Sequence, residues 1–175
     1  MKFRIFTGMI VMLSVFSSMI SCDDNNLGKL RERELELLDQ YIEKNNITVE
    51  PTASGLYYIE KVKGTGDTVK VGDIVDIYYR TWLIDSTLID ENIDAKGHYY
   101  DPLRFTVTPP QSGASVVEGL NEAIKFMQQG TVAHLIVPSQ IAYGQNGSMG
   151  IPAFSTLLFE IRVHKVIRQS ISGSN

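Results

Sequence analysis

Between Gly55 and Val166 the chain runs as short apolar–polar alternations broken by Gly- and Pro-bearing turns, and one segment alone keeps a helical period. Alternation at period two sets one face of a strand on a core and the other in water, whereas a helix does this with period 3.6. Gly55–Val62 is β-rich and leads into the turn Gly64-Thr65-Gly66-Asp67, and Gly72-Asp73 marks the next turn. Ile74–Leu83 is a long strand, with Val75, Ile77, Tyr79 and Thr81 on one face and Asp76, Tyr78, Arg80 and Trp82 on the other. A short strand at Leu88-Ile89 follows, then a polar loop from Glu91 to Asp101. Strands are expected at Leu103–Val107, Thr131–Val137 and Thr156–Val166, with Pro138 ending the second of these. The exception is Glu118–Met127, a helix whose apolar face is Leu120, Ile124 and Met127, closed by Gln128-Gln129-Gly130. Several strands of antiparallel type and one short helix make an α+β domain, most economically a curved sheet wrapped on that helix.

The N-terminus carries a different signal. Lys2 and Arg4 precede an apolar run from Ile5 to Ile20, and Ser21-Cys22 follows. A basic start, a short apolar stretch and a small residue describe a secretory signal, and the run is short for a spanning helix. Cys22 is the single cysteine, so an intramolecular disulfide is excluded. Ser18-Met19-Ile20-Ser21-Cys22 resembles a bacterial lipobox, which implies acylation of Cys22 and attachment to a membrane surface through buried CH₂ groups. The alternative is an ordinary signal peptide cleaved nearby. The expected location is the bacterial cell envelope, lipid-anchored on a periplasmic or outer-membrane face.

Without residues 1–21 the chain loses Lys2 and Arg4, and the balance becomes 14 basic against 20 acidic residues, a net −6. An acidic chain without a basic patch argues against nucleic-acid binding. Residues 22–28 are polar and expected to be disordered. Leu30–Lys44 reads as a helix with Leu30, Leu35, Leu37, Leu38, Tyr41 and Ile42 mostly on one stripe, ending at Asn45-Asn46. It packs on its own domain or serves as a stalk, with a dimer contact as the alternative. The tail from Ser170 to Asn175 is expected to be disordered. His98, His134 and His164 are scattered without metal-ligand spacing. Asp90, Glu91, Asp94 and Asp101 lack the Gly-centred calcium pattern. Neither a metal nor a cofactor is expected.

The chemistry-bearing stretch is Val116–Glu160. It holds Val116-Val117-Glu118-Gly119-Leu120, Ile141-Ala142-Tyr143-Gly144, Gly150-Ile151-Pro152 and Ser155-Thr156-Leu157-Leu158-Phe159-Glu160. Apolar and aromatic side chains around Gly-rich turns suit a small dry groove, and rotation about an X–Pro amide is a reaction that needs little else.

Together with Val71-Gly72-Asp73, Tyr79, Ile89-Asp90 and Pro102-Leu103-Arg104-Phe105, in this order and over residues 54–167, these pieces resemble the FKBP-type peptidyl-prolyl isomerases. With the lipobox and helix in front, the chain is similar to a membrane-anchored bacterial form. The resemblance implies a five- or six-stranded antiparallel sheet bent around the helix, with an N-terminal helical extension. The expected organisation is a signal peptide at 1–21, a tether and helix at 22–50, the isomerase domain at 51–168 and a tail at 169–175.

It also implies a pocket between helix and sheet. Tyr79, Asp90, Tyr143 and Phe159 would carry catalysis, and Ile89, Leu103, Val116, Val117, Leu120 and Ile151 would bind substrate. Tyr79 and Phe159 would wall the proline ring, with Leu120 as floor. Tyr143 and the Val117 N–H would meet substrate carbonyls, and Asp90 would hold the Tyr79 ring or touch the substrate. Ile89 and Leu103 stand where the family often has Phe, and Leu120 where eukaryotic members often have Trp. The less aromatic pocket implies weak macrolide binding. Proline-containing client polypeptides are the expected partners. The alternative is a non-catalytic chaperone or binding module in a membrane-associated assembly.

Overall fold

The computed structural model describes residues 23–94 and 96–168. Six strands form one antiparallel sheet: β1 Tyr57–Val62, β2 Ile74–Leu83, β3 Leu88–Glu91, β4 Leu103–Thr106, β5 Val132–Val137 and β6 Leu157–Ile167. The order across the sheet is β1-β5-β6-β2-β3, and β4 pairs with β2 as well. The outer edge of β2 is shared. Ile74–Ile77 pairs with β4 and Arg80–Trp82 with β3, so the chain from Asn92 to Pro102 leaves the sheet between them. This expected polar loop is pinched by a bridge between Ile93 and Tyr99.

The period-two faces read from the sequence are the core faces. Val75 and Ile77 of β2, Ala133, Leu135 and Val137 of β5, and Leu157, Ile161 and Val163 of β6 are all buried in one cluster. Full burial of each Val, Leu or Ile among them contributes roughly 1.5–3 kcal/mol. Across that face lies α2, Glu118–Ala123, continued by a 3-10 turn at Ile124–Phe126. The α-helical part is shorter than the Glu118–Met127 expected. Its end tightens, with the Met127 N–H donating to the Ile124 carbonyl at 3.1 Å. Residues three apart eclipse in 3-10 geometry, so Ile124 and Met127 both still point inward. Close approach of α2 to β5 requires Gly119, because a Cβ there would sit 2.4 Å from Val137 Cγ1.

The N-terminal helix, α1, runs from Asp23 to Lys44. It begins within the stretch expected to be disordered. Once a helix is nucleated, each further residue adds a hydrogen bond, so polar residues prolong it without apolar contacts. It ends where Asn45-Asn46 predicted. Asn46 takes φ 50°, the Ile47 N–H reaches the Ile42 carbonyl at 3.0 Å, and the Asn46 N–H reaches the Glu43 carbonyl at 3.1 Å. This double bond pattern is a Schellman cap. The inward stripe differs from the one read in the sequence: Glu34 and Leu38 are buried, while Leu30 and Leu35 are exposed. The helix packs on its own domain. Among the described residues no helix is long and apolar enough to cross a membrane. The expectations for the signal segment, Cys22 and the tail fall outside the described residues.

Candidate active site

The open end of the space between α2 and the sheet is a groove of about 360 Å³. Strand alternation supplies one wall. Tyr79 and Phe159 share the inward faces of β2 and β6, with Phe159 paired to Thr81 on one side and Leu135 on the other. Phe159 is 7% exposed and lines the groove from β6. Helix α2 gives Leu120 as a floor, 3% exposed, and the segment leading into it gives Val116 and Val117. Ile89 and Asp90 come from β3 and Leu103 from β4. Tyr143 and Ile151 come from the loop between β5 and β6. All ten residues singled out in the sequence border this one groove.

The polar geometry is sparse. The Tyr79 hydroxyl donates to Asp90 Oδ2 at 2.5 Å. Burial first, then this bond and the Asp90 charge, push the Tyr79 hydroxyl far up, so it stays a donor at neutral pH. Asp90 is thereby engaged as an acceptor at the rim. Tyr143 is 40% exposed at the mouth. Its loop is stitched internally, with the Phe154 N–H donating to the Gly144 carbonyl and Ser148 and Ile151 exchanging two bonds, all at 2.9 Å. Gly150, at φ 78°, turns that pair and leaves Met149 at the apex, 97% exposed beside the groove.

Sequence reasoning missed several groove residues. Thr81 and Leu157 lie two positions from Tyr79 and Phe159 on the same strand faces, so the period-two signal held them. Met149 was signalled only by the Met-Gly turn. Asn92 had no signal. It is buried behind Tyr79, accepting from the Tyr79 N–H at 2.6 Å and donating to the Ile77 carbonyl at 3.1 Å. It fills the break in the β2 edge between β4 and β3. A second cleft of about 340 Å³ opens between α1 and Leu83, Ile84 and Phe154, but neither Tyr79 nor Asp90 borders it. Among the described residues no three His, Cys, Asp or Glu side chains gather as metal ligands.

The family model for FKBP-type peptidyl-prolyl cis-trans isomerases matches residues 66–164, more than half of the chain. The chain belongs to this family. Its FKBP relatives include the FKBP-type peptidyl-prolyl cis-trans isomerase FkpA of Aeromonas hydrophila, 32% identical over 73% of this chain and 44% of that protein. Another is the FKBP-type 22 kDa peptidyl-prolyl cis-trans isomerase of Escherichia coli, 33% identical over 73% of this chain and 59% of that protein. The crystal structure of FkpA from Escherichia coli superposes with a TM-score of 0.68 at 27% identity, covering 82% of this chain and 64% of the other. The chain thus spans about two fifths to three fifths of the length of these bacterial relatives.

Proposed function

We propose that the chain is a peptidyl-prolyl cis–trans isomerase acting on proline-containing polypeptides outside the cytoplasm. The observation that carries this reading is the convergence of the apolar and aromatic side chains Tyr79, Phe159, Leu120 and Ile151 on one groove whose rim carboxylate, Asp90, is engaged by the Tyr79 hydroxyl. The X–Pro amide resists rotation by roughly 18–20 kcal/mol because its C–N bond has partial double-bond character. In the twisted transition state the resonance is broken and the carbonyl is less polar. A groove that excludes water therefore disfavours the planar amide relative to the twisted one, without acid, base or nucleophile. Phe159 and Tyr79 wall the proline ring over Leu120. Tyr143 and the Val117 N–H meet the carbonyls beside the twisting bond. Each 1.4 kcal/mol removed from the barrier is worth about tenfold in rate.

The test is catalysis by Asp90→Ala and Phe159→Ala. Removing the carboxylate frees the Tyr79 ring, and removing the phenyl opens the wall; each is expected to lower kcat/KM at least tenfold. Phe159→Ala is also expected to cost about 3–5 kcal/mol of stability, so Asp90→Ala is the cleaner probe. Wild-type rates in both folded variants would remove this site.

The same proposal places the protein on the periplasmic or outer-membrane face of a bacterial envelope, held by acyl chains on Cys22. The support is the sequence of residues 2–22. A Cys22→Ser chain is expected to incorporate no labelled palmitate and to leave the membrane fraction; unchanged labelling would contradict the anchor. The aliphatic Ile89, Leu103 and Leu120 support weak macrolide binding, since each removes an aromatic contact that family members often have.

A further inference from the structure

Glu34 belongs to α1, outside the groove, yet it is one of the most buried polar side chains of the protein. It is 3% exposed, and its partners Ser139 and Thr156 are 1% and 2% exposed. One carboxylate oxygen accepts from the Ser139 N–H at 2.7 Å and from the Thr156 hydroxyl at 2.9 Å, and the other accepts from the Ser139 hydroxyl at 2.6 Å. Arg31, one turn earlier, donates to the same carboxylate and to Gln140. Gln140 in turn donates to the Ser54 carbonyl at 3.1 Å, and the Ser54 hydroxyl to Glu122 of α2 at 2.6 Å.

The positions of the two hydroxyls in the chain give the arrangement its meaning. Ser139 is the first residue after β5 and Pro138. Thr156 is the last residue before β6. Everything between them is the loop that carries Tyr143, Met149 and Ile151 into the groove. A single buried carboxylate thus holds both stems of that loop, and its loss would leave buried donors unpaired. A charged acceptor taking several bonds fixes geometry more firmly than neutral pairs do.

We propose that α1 is a positioning element of the active groove, and that Glu34 is the residue through which it fixes the base of the 139–156 loop. The inference rests on the isomerase reading for its catalytic consequence and on packing alone for its structural one. Burial by itself would raise the Glu34 carboxyl; the Ser139, Arg31 and Thr156 bonds outweigh it and hold the group below its usual range, in keeping with an ionised clamp.

The experiment compares Glu34→Ala, Glu34→Gln and Thr156→Val with wild type in the full-length protein in detergent, by residue-resolved amide exchange and by kcat/KM on an X–Pro peptide. Glu36→Ala, an exposed neighbour on α1 whose partners among the described residues are Arg33 and Gln40, is the control. The expected result for Glu34→Ala is at least tenfold faster exchange of the Ala142, Ile151 and Phe154 amides, with β2–β6 ladder amides unchanged, and a severalfold fall in kcat/KM. Glu34→Gln, which keeps one acceptor oxygen, is expected to restore part of both. Thr156→Val, which removes one hydroxyl without changing shape, is expected to give a smaller effect of the same pattern and serves if Glu34→Ala fails to fold. Uniformly faster exchange of sheet and loop together, or no change in the loop, would overturn the proposal. If wild type proves inactive on peptides, the isomerase reading fails while the exchange pattern still decides the clamp.

Discussion

Asn92 shows how much a single polar side chain positions here. The β2 edge changes partner at Tyr78–Tyr79, and a strand edge left open inside a fold exposes an N–H and a carbonyl that must be satisfied. Asn92 answers as a substitute strand: its side-chain oxygen takes the Tyr79 N–H, its amide donates to the Ile77 carbonyl, and its own N–H donates to the Tyr79 carbonyl at 3.1 Å. Tyr79 is therefore fixed at its backbone by Asn92 and at its hydroxyl by Asp90. Asn92→Ala is expected to cost roughly 1–3 kcal/mol, the penalty for stranding a buried donor, and to lower catalysis more than an equal loss of stability in the β1–β5 region. Urea denaturation and peptide exchange on one sample check both; a variant with wild-type midpoint and rate contradicts the role. Nothing in the sequence marked Asn92, because an asparagine in a polar loop is ordinary and its partners are set by where two other strands stop. Glu34 was hidden for a similar reason. The stripe rule counts apolar residues, so a glutamate on the inward face registers as solvent. Its hydroxyl partners lie beyond Val137 and before Leu157, far along the chain.

At the scale of elements, the strands were the legible part. Ile74–Leu83 was read to the residue because its alternation is long and Gly72-Asp73 precedes it. Helix ends were less so: α2 gives way to a 3-10 turn at Ile124, and α1 extends seven residues earlier than the expected Leu30, to Asp23. Neither end changes the apolar pattern from which periodicity is read. Two cross-element carboxylates make the joints between elements sensitive to acid. Asp76 of β2 accepts from Arg104 of β4 at 2.6 and 2.8 Å, and the Arg104 guanidinium holds its carboxyl below the usual range. Glu34 is also held low, against the opposing effect of burial, by Ser139, Arg31 and Thr156. A carboxyl with a depressed folded-state pKa contributes stability that is present above its ordinary pKa and lost as pH falls through the folded value. With ordinary carboxyl values near pH 4, wild-type stability is expected to fall as pH drops from about 5 to 3. Asp76→Asn and Glu34→Gln should each be less stable at pH 7 and flatten that acid limb. Denaturation midpoints at a series of pH values check this, and an acid limb as steep in both variants as in wild type contradicts it.

For the whole molecule, one arrangement recurs. A curved sheet supplies rigid walls, a short helix gives the floor, and two loops close the groove. The groove was legible because its residues came as motif pieces spread in order over two thirds of the chain, and the structure gathers all ten into one place. What the pieces did not carry was the support behind them: the break in β2 filled by Asn92 and the loop base held by α1. The proposed isomerase reading requires this groove to twist X–Pro amides by excluding water from them. The most direct measurement is the cis–trans exchange rate of a set of X–Pro peptides, by exchange NMR, with the purified protein and with added macrolide. Uncatalysed exchange takes on the order of tens to hundreds of seconds. The expected result is saturable acceleration that varies with the residue before proline and yields to macrolide only at high concentration. No acceleration by a protein whose amide protection shows the sheet intact would contradict it, and the groove would then serve recognition without turnover.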